Sequence, residues 1–327
     1  MTFRETVIHT LRRKSEQRIP SLLLRYGNNA RRTVEDAIDR SGRRQERLER
    51  LGRHRVEDAV NQQTNLGWVT GDRIESFPIG PMGRHDLLAG LHRALRPRSY
   101  FEIGVHRGAG LALAATRSIG VDPAPIISQP LGDDVKVYEE TSDDFFARSD
   151  AFAHFEGLPV DLGFIDGMHL SEFALRDFMN LEKHMAKTGV IVFDDMLPRN
   201  SLEAYRTRRT RWWAGDVYKV TEILRKWRPD LVLLPVNTNP TGTLVVLGCD
   251  PDSRVLDDAY EELETYCITP DPQHVASEWT RRESAVDPRE LLASPAWQLL
   301  LQIRDGESDP DRLPEALEQL RSLAPMR

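Results

Sequence analysis

From about residue 99 the apolar positions fall into two alternating rhythms. "SYFEIGV" (99–105) is a short apolar run, and "GVDP" (120–123) is a short strand stopped by proline. "VKVYEETS" (135–142) alternates as a strand does. "VDLGFID" (160–166), "VIVFDD" (190–195), "LVLLPVN" (231–237) and "GTLVVLGCD" (242–250) read as further strands. Between them, "GAGLALAATRSI" (108–119), "SDDFFARSDAF" (142–152), "SEFALRDFMNLEKHMAKTG" (171–189) and "GDVYKVTEILRKWRPD" (215–230) predict helices. The third carries Phe173, Leu175, Phe178, Leu181 and Met185 at helical spacing and ends in glycine. Strands alternating with helices predict a mostly parallel sheet covered on both faces. The last two strands, joined by a short turn, predict one antiparallel hairpin at the sheet edge.

The flanks follow other patterns. Residues 1–60 are rich in arginine, with a thin apolar stripe of Leu48, Leu51, Val56 and Val60. This suits a solvated helical arm or a helix that packs on a partner subunit; the sharper reading is a surface for an acidic substrate or an anionic membrane. "SFPIGPMGRHD" (76–86), with two prolines and two glycines, reads as a linker or an entry loop. After Asp250 come amphipathic helical pieces, "DSRVLDDAYEELETY", "DPRELLASPAWQLLLQIRDG" and "LPEALEQLRSL". The expected organisation is an arginine-rich arm over 1–80, an α/β domain over 81–250 and a helical extension over 251–327. The two extensions are the candidate surfaces for a homo-oligomer.

Composition narrows the classes. The chain is 40% hydrophobic and 29% charged, as in ordinary globular proteins. A formal net charge of −7 argues against bulk nucleic-acid binding. No run of eighteen apolar residues predicts a transmembrane segment, and the first residues lack the pattern of a secretory signal. Cys249 and Cys267 form no disulfide framework and no metal spacing, so a reducing cytoplasm is the simplest location.

The chemistry gathers at strand ends. In an open α/β sheet ligands bind beyond the carboxyl ends of the strands. There the sequence places Glu102, Asp122, Asp166, Asp194 and Asp195. Acids that face one another are costly unless something positive lies between them, either a cationic ligand or a metal ion. "FEIGVHRGAG" (101–110) follows a strand, and its glycines let the backbone approach a ligand. It matches neither the dinucleotide fingerprint nor a P-loop, which favours a nucleoside over a nucleotide. Asp122, some twenty residues on, stands where an acid can hold ribose hydroxyls. Taken alone, Asp194–Asp195 also fits a turn cap, and His169 a helix N-terminus.

"YFEIGVHRGAG", "GVDP", "TSDDFF", "DLGFIDGMHLSEFALRD" and "GVIVFDD", in that order, resemble class I S-adenosylmethionine-dependent methyltransferases. They are nearest the group of macrolide-sugar O-methyltransferases and cephalosporin hydroxylase-like proteins. The resemblance spans roughly residues 80–250, with His106 where many such proteins have glycine. It implies a doubly wound, Rossmann-like sheet of seven strands. It also implies that Glu102, Gly104 and Gly108 lie against the methionine part of S-adenosylmethionine, that Asp122 takes the ribose, and that Ser142 and Asp143 lie near the adenine. Asp166, Asp194 and Asp195 match the carboxylates for Mg²⁺ or another divalent cation, and His169 matches the general base. The expected reaction is O-methylation of a sugar, glycan or small secondary metabolite. A cation held by carboxylates would lower the pKa of a ligated hydroxyl, and a histidine would take its proton. The rivals are a hydroxylase-like or metal-independent relative, a glycosyltransferase and a non-catalytic binding subunit.

Overall fold

The computed structural model describes residues 80–210 and 212–324. The arginine-rich arm up to residue 79 and the first four residues of the 76–86 stretch lie outside the described residues. Seven strands form one sheet: β1 (Ser99–Ile103), β2 (Arg117–Val121), β3 (Val135–Tyr138), β4 (Val160–Ile165), β5 (Met185–Phe193), β6 (Val232–Val236) and β7 (Thr243–Leu247). Their spatial order is β3-β2-β1-β4-β5-β7-β6. β7 runs antiparallel to both β5 and β6, and the other pairings are parallel. The sheet is thus doubly wound and Rossmann-like, and its hairpin puts β6 at the edge.

Each strand divides its side chains between two cores by period-two alternation. Phe101, Ile165, Ile191, Phe193 and Val246 enter one core with α3 (Ser171–Glu182) and α4 (Tyr218–Trp227). Tyr100, Leu162, Phe164, Val190 and Val245 enter the other with α1 (Arg84–Leu95). That second face is completed from the far end of the chain. Trp297, Leu299 and Leu300 of the helix Ala296–Arg304, with Ala316 and Leu320 of the helix Leu313–Arg321, join the same cluster.

Three expected elements differ. The helix over 108–119 is a single 3-10 turn, Leu111–Leu113, followed by β2. β2 pairs with β1 from Ser99↔Arg117 to Ile103↔Val121, so only residues 104–116 remain for the return along the sheet. Tertiary pairing overrides the helix propensity of the Ala/Leu run. The helix from 142 is confined to α2 (Ser142–Phe146), capped by the Thr141 hydroxyl. The helix from 171 stops at Glu182, because Met185 pairs with Val160 and begins β5. In the opposite sense, α1 begins inside the stretch read as a linker.

Candidate functional site

Neighbouring strand ends carry the acids. β4 and β5 finish level, with Ile165 opposite Phe193. The backbone amide of Asp166 donates to the Ile103 carbonyl, and that of Asp194 to the Ile165 carbonyl, so the ladder holds three strand ends side by side. Gly104 has φ 88°, and a Cβ there would fall 1.8 Å from the Asp166 carbonyl oxygen. Only glycine lets β1 end so close to β4.

His169 enters from the turn before α3, with φ 56°. Its ring lies between two carboxylates: Nε2 is 3.4 Å from Asp166 Oδ1 and Nδ1 is 3.1 Å from Asp195 Oδ2. Nδ1 also lies 2.9 Å from the Trp213 carbonyl oxygen. A carbonyl only accepts, so Nδ1 carries a proton and Nε2 is the nitrogen directed at Asp166. The Trp213 indole stacks on the imidazole at 5.1 Å and 12°. Burial disfavours the charged ring, but Asp195 and Asp166 outweigh it and push the His169 pKa up to about 10.

Two further elements hold this arrangement. The Thr241 hydroxyl, in the turn between β6 and β7, donates to Asp195 Oδ1. Gly215 has φ 66° and packs on the His169 backbone, where a Cβ would fall 1.8 Å from the carbonyl oxygen. The neighbouring Asp216 accepts from the Ser171 amide at 2.8 Å and is paired with Arg206 at 2.7 Å and Lys219 at 2.9 Å. Arg206 also grips Glu172 of α3 at 2.6 Å. This buried network fixes the segment that carries Trp213 against the helix that follows His169.

Arg84, the first residue of α1, was missed in the sequence because it lay in an apparent linker. Its Nε is 2.9 Å from Asp194 Oδ2, and its Nη2 is 3.9 Å from Asp166 Oδ2. The acids are therefore divided. Asp166 and Asp195 meet at His169, while Asp194 turns to Arg84. Among the described residues, Asp166, His169 and Asp195 are the group whose donor atoms lie within 4.8 Å of one another as a metal site requires. Burial and the neighbouring Asp195 and Asp166 push the Asp194 pKa well up. At Asp166 burial acts in the same sense, but His169 and then Arg84 hold its pKa down.

The candidate cofactor residues lie along the outer part of the same rim. Glu102 is 2% exposed, accepts from the Tyr100 hydroxyl at 2.6 Å and lies under Gly110. Burial pushes its pKa up to about 8. Gly108 turns the chain at φ 79°. Asp122 follows β2 and accepts from the His106 amide at 2.8 Å and the Ala124 amide at 2.7 Å. A carboxylate has about four lone-pair sites, so capacity remains for hydroxyl donors. Ser142 opens α2, and Asp143 is paired with Arg176 at 3.0 Å.

Residues 101–196 match a protein family described as a methyltransferase domain. No curated protein matches the chain. Among solved structures it is similar to the O-methyltransferase TomG from Streptomyces achromogenes in complex with S-adenosylmethionine. That pair is 18% identical over 51% of this chain and 79% of the other, with a TM-score of 0.37. It is also similar to the O-methyltransferase from Bacillus cereus in complex with S-adenosylhomocysteine, 15% identical over 59% and 88% of the two chains, TM-score 0.38. A third is the S-adenosylhomocysteine-bound methyltransferase PaMTH1 from Podospora anserina, 13% identical over 51% and 78%, TM-score 0.37.

Proposed function

We propose that this chain, which carries a class I methyltransferase domain, moves a methyl group from S-adenosylmethionine to a hydroxyl oxygen of a sugar, glycan or small secondary metabolite. The observation that carries the reading is the convergence of Asp166, His169 and Asp195 on the sheet rim of the domain matched over 101–196. Asp122, Ser142 and Asp143 at the ends of β2 and β3, with Glu102, Gly104 and Gly108 at the end of β1, would hold the cofactor. Asp166 and Asp195 would offer a divalent cation such as Mg²⁺ two anionic oxygens, with the His169 imidazole beside them to act as base. The cofactor supplies an activated methyl, and the cation supplies charge that acidifies a bound hydroxyl and offsets the carboxylate field that keeps His169 protonated.

The chain's own residues do the rest. His169 Nε2 takes the hydroxyl proton, because Nδ1 is already engaged by the Trp213 carbonyl. Asp195 stabilises the imidazolium that results. The Trp213 ring covers one face of the imidazole and limits water there.

The test is calorimetric titration of the full chain with S-adenosylhomocysteine, with and without Mg²⁺ and a vicinal diol. Binding, with a Mg²⁺ effect that appears once the diol is present, is expected. Absence of binding in every condition would remove the cofactor assignment and favour a nucleotide-sugar enzyme or a non-catalytic role.

A further inference from the structure

The three acids at the ends of β4 and β5 are not equivalent, and the difference lies in Arg84. Asp195 is engaged by Thr241 and His169, and Asp166 by His169. Asp194 is 5% exposed, and among the described residues its Oδ2 has no hydrogen-bond partner. What it has is a charge contact with Arg84 Nε at 2.9 Å, poorly aligned for a hydrogen bond. A buried carboxylate beside two other acids depends on the cation that faces it.

The guanidinium is held in place by its backbone. Met82 and Gly83 pair in parallel with Thr238 and Asn239. Those residues belong to the same turn between β6 and β7 that supplies Thr241 to Asp195. The Arg282 side chain, 6% exposed, closes the turn by donating to the Thr238 carbonyl at 2.8 Å and to Asn237 Oδ1 at 2.7 Å. One turn thus anchors both the Asp195 hydroxyl donor and the start of α1.

We propose that Arg84 is a resident cation that withholds Asp194 from the metal site, leaving Asp166 and Asp195 as the carboxylate donors beside His169. The inference rests on the reading of Asp166 and Asp195 as cation ligands given above. Arg84 then tunes which cation binds and how tightly. A third free carboxylate would add a hard oxygen donor and strengthen binding of hard divalent cations such as Mg²⁺ and Mn²⁺. Arg84 is a positioning residue in this scheme.

The experiment is a Mn²⁺ titration of the full chain, with free Mn²⁺ read by electron paramagnetic resonance, so that no catalytic turnover is involved. Wild type, Arg84→Met, Asp194→Asn and the double variant form a cycle. Arg84→Lys keeps the charge, and a matching circular-dichroism melt shows that each variant is folded. The expected result is at least 10-fold tighter Mn²⁺ binding in Arg84→Met, and loss of that gain in the double variant. Asp194→Asn alone, like Arg84→Lys, should change affinity less than 3-fold. Equal binding by wild type and Arg84→Met would overturn the proposal while leaving the metal reading intact. A 10-fold loss in Asp194→Asn alone would also overturn it, since Asp194 would then be a ligand already. Binding by Arg84→Met with none by wild type would support the proposal and remove metal dependence from the native enzyme. No binding by any variant would overturn both.

Discussion

Single side chains carry the chemistry, and two of them give direct tests. His169→Ala should leave S-adenosylhomocysteine affinity within about 3-fold of wild type while lowering turnover by about 10²–10⁴, the usual contribution of a general base. Parallel calorimetry and methyl-incorporation assays check this, and equal turnover would refute the base assignment. His92 offers a test by pH. It lies in α1 against Tyr100, with ring centroids 4.7 Å apart, and its Nε2 is buried with no hydrogen-bond partner among the described residues. Burial lowers its pKa to about 4. In the unfolded chain the ring takes a proton near its ordinary value, so between pH 6.5 and 4 the unfolded state binds more protons. This contribution to stability is intact above about pH 6.5 and is lost as pH falls towards 4, by up to about 3 kcal/mol. Urea unfolding of wild type and His92→Phe at pH 7 and pH 5 should show a smaller loss in the variant. Equal losses would place the titration elsewhere.

Elements bring those residues together, and here the sequence was legible in part. The acids of the site were visible because strand ends in an α/β sheet converge, and "VDLGFID" and "VIVFDD" announce their ends plainly. Arg84 was not visible, since it meets Asp166 and Asp194 only through folding and its own neighbours "IGPMGRHD" resemble a turn. Nor was the stacking of Trp213 on His169, which depends on the ion-pair network of Arg206. The short turn in place of a helix over 108–119 was hidden because Ala/Leu content reports local propensity, whereas the pairing of β1 with β2 decides the outcome. The Arg206 network can be probed by stability. Arg206→Met leaves Glu172 and Asp216 buried with reduced compensation, and should cost about 3–5 kcal/mol, the range seen when one partner of a buried ion pair is removed. Chemical denaturation measures this, and a loss under about 1 kcal/mol would show that Lys219 alone suffices for Asp216.

Across the whole molecule, the alternation of strands and helices points to a mostly parallel sheet and the short β6–β7 turn to an antiparallel hairpin, and the sheet has both. What the rhythm did not reveal is which face the last helices cover. Trp297 is 3% exposed, belongs to the cluster of Leu87, Leu88 and Leu91 from α1, and donates from Nε1 to the Leu291 carbonyl at 2.6 Å. Trp297→Ala should destabilise the fold by about 3–5 kcal/mol through the cavity it leaves. A shift of the urea midpoint in that range is expected, and a change below about 1 kcal/mol would mean that this helix is a peripheral attachment.

The late position of those helices has a consequence for biosynthesis. β7 ends at Leu247 and the covering helix begins at Ala296, so about 50 residues separate the finished sheet from its cover. At ~5–20 residues per second, roughly 3–10 s pass with one greasy face of the sheet covered by α1 but not yet by the last helices. During that interval the nascent chain is a natural client for holdase chaperones, and its aggregation is governed by translation speed through the segment 248–295 as much as by the stability of the finished fold.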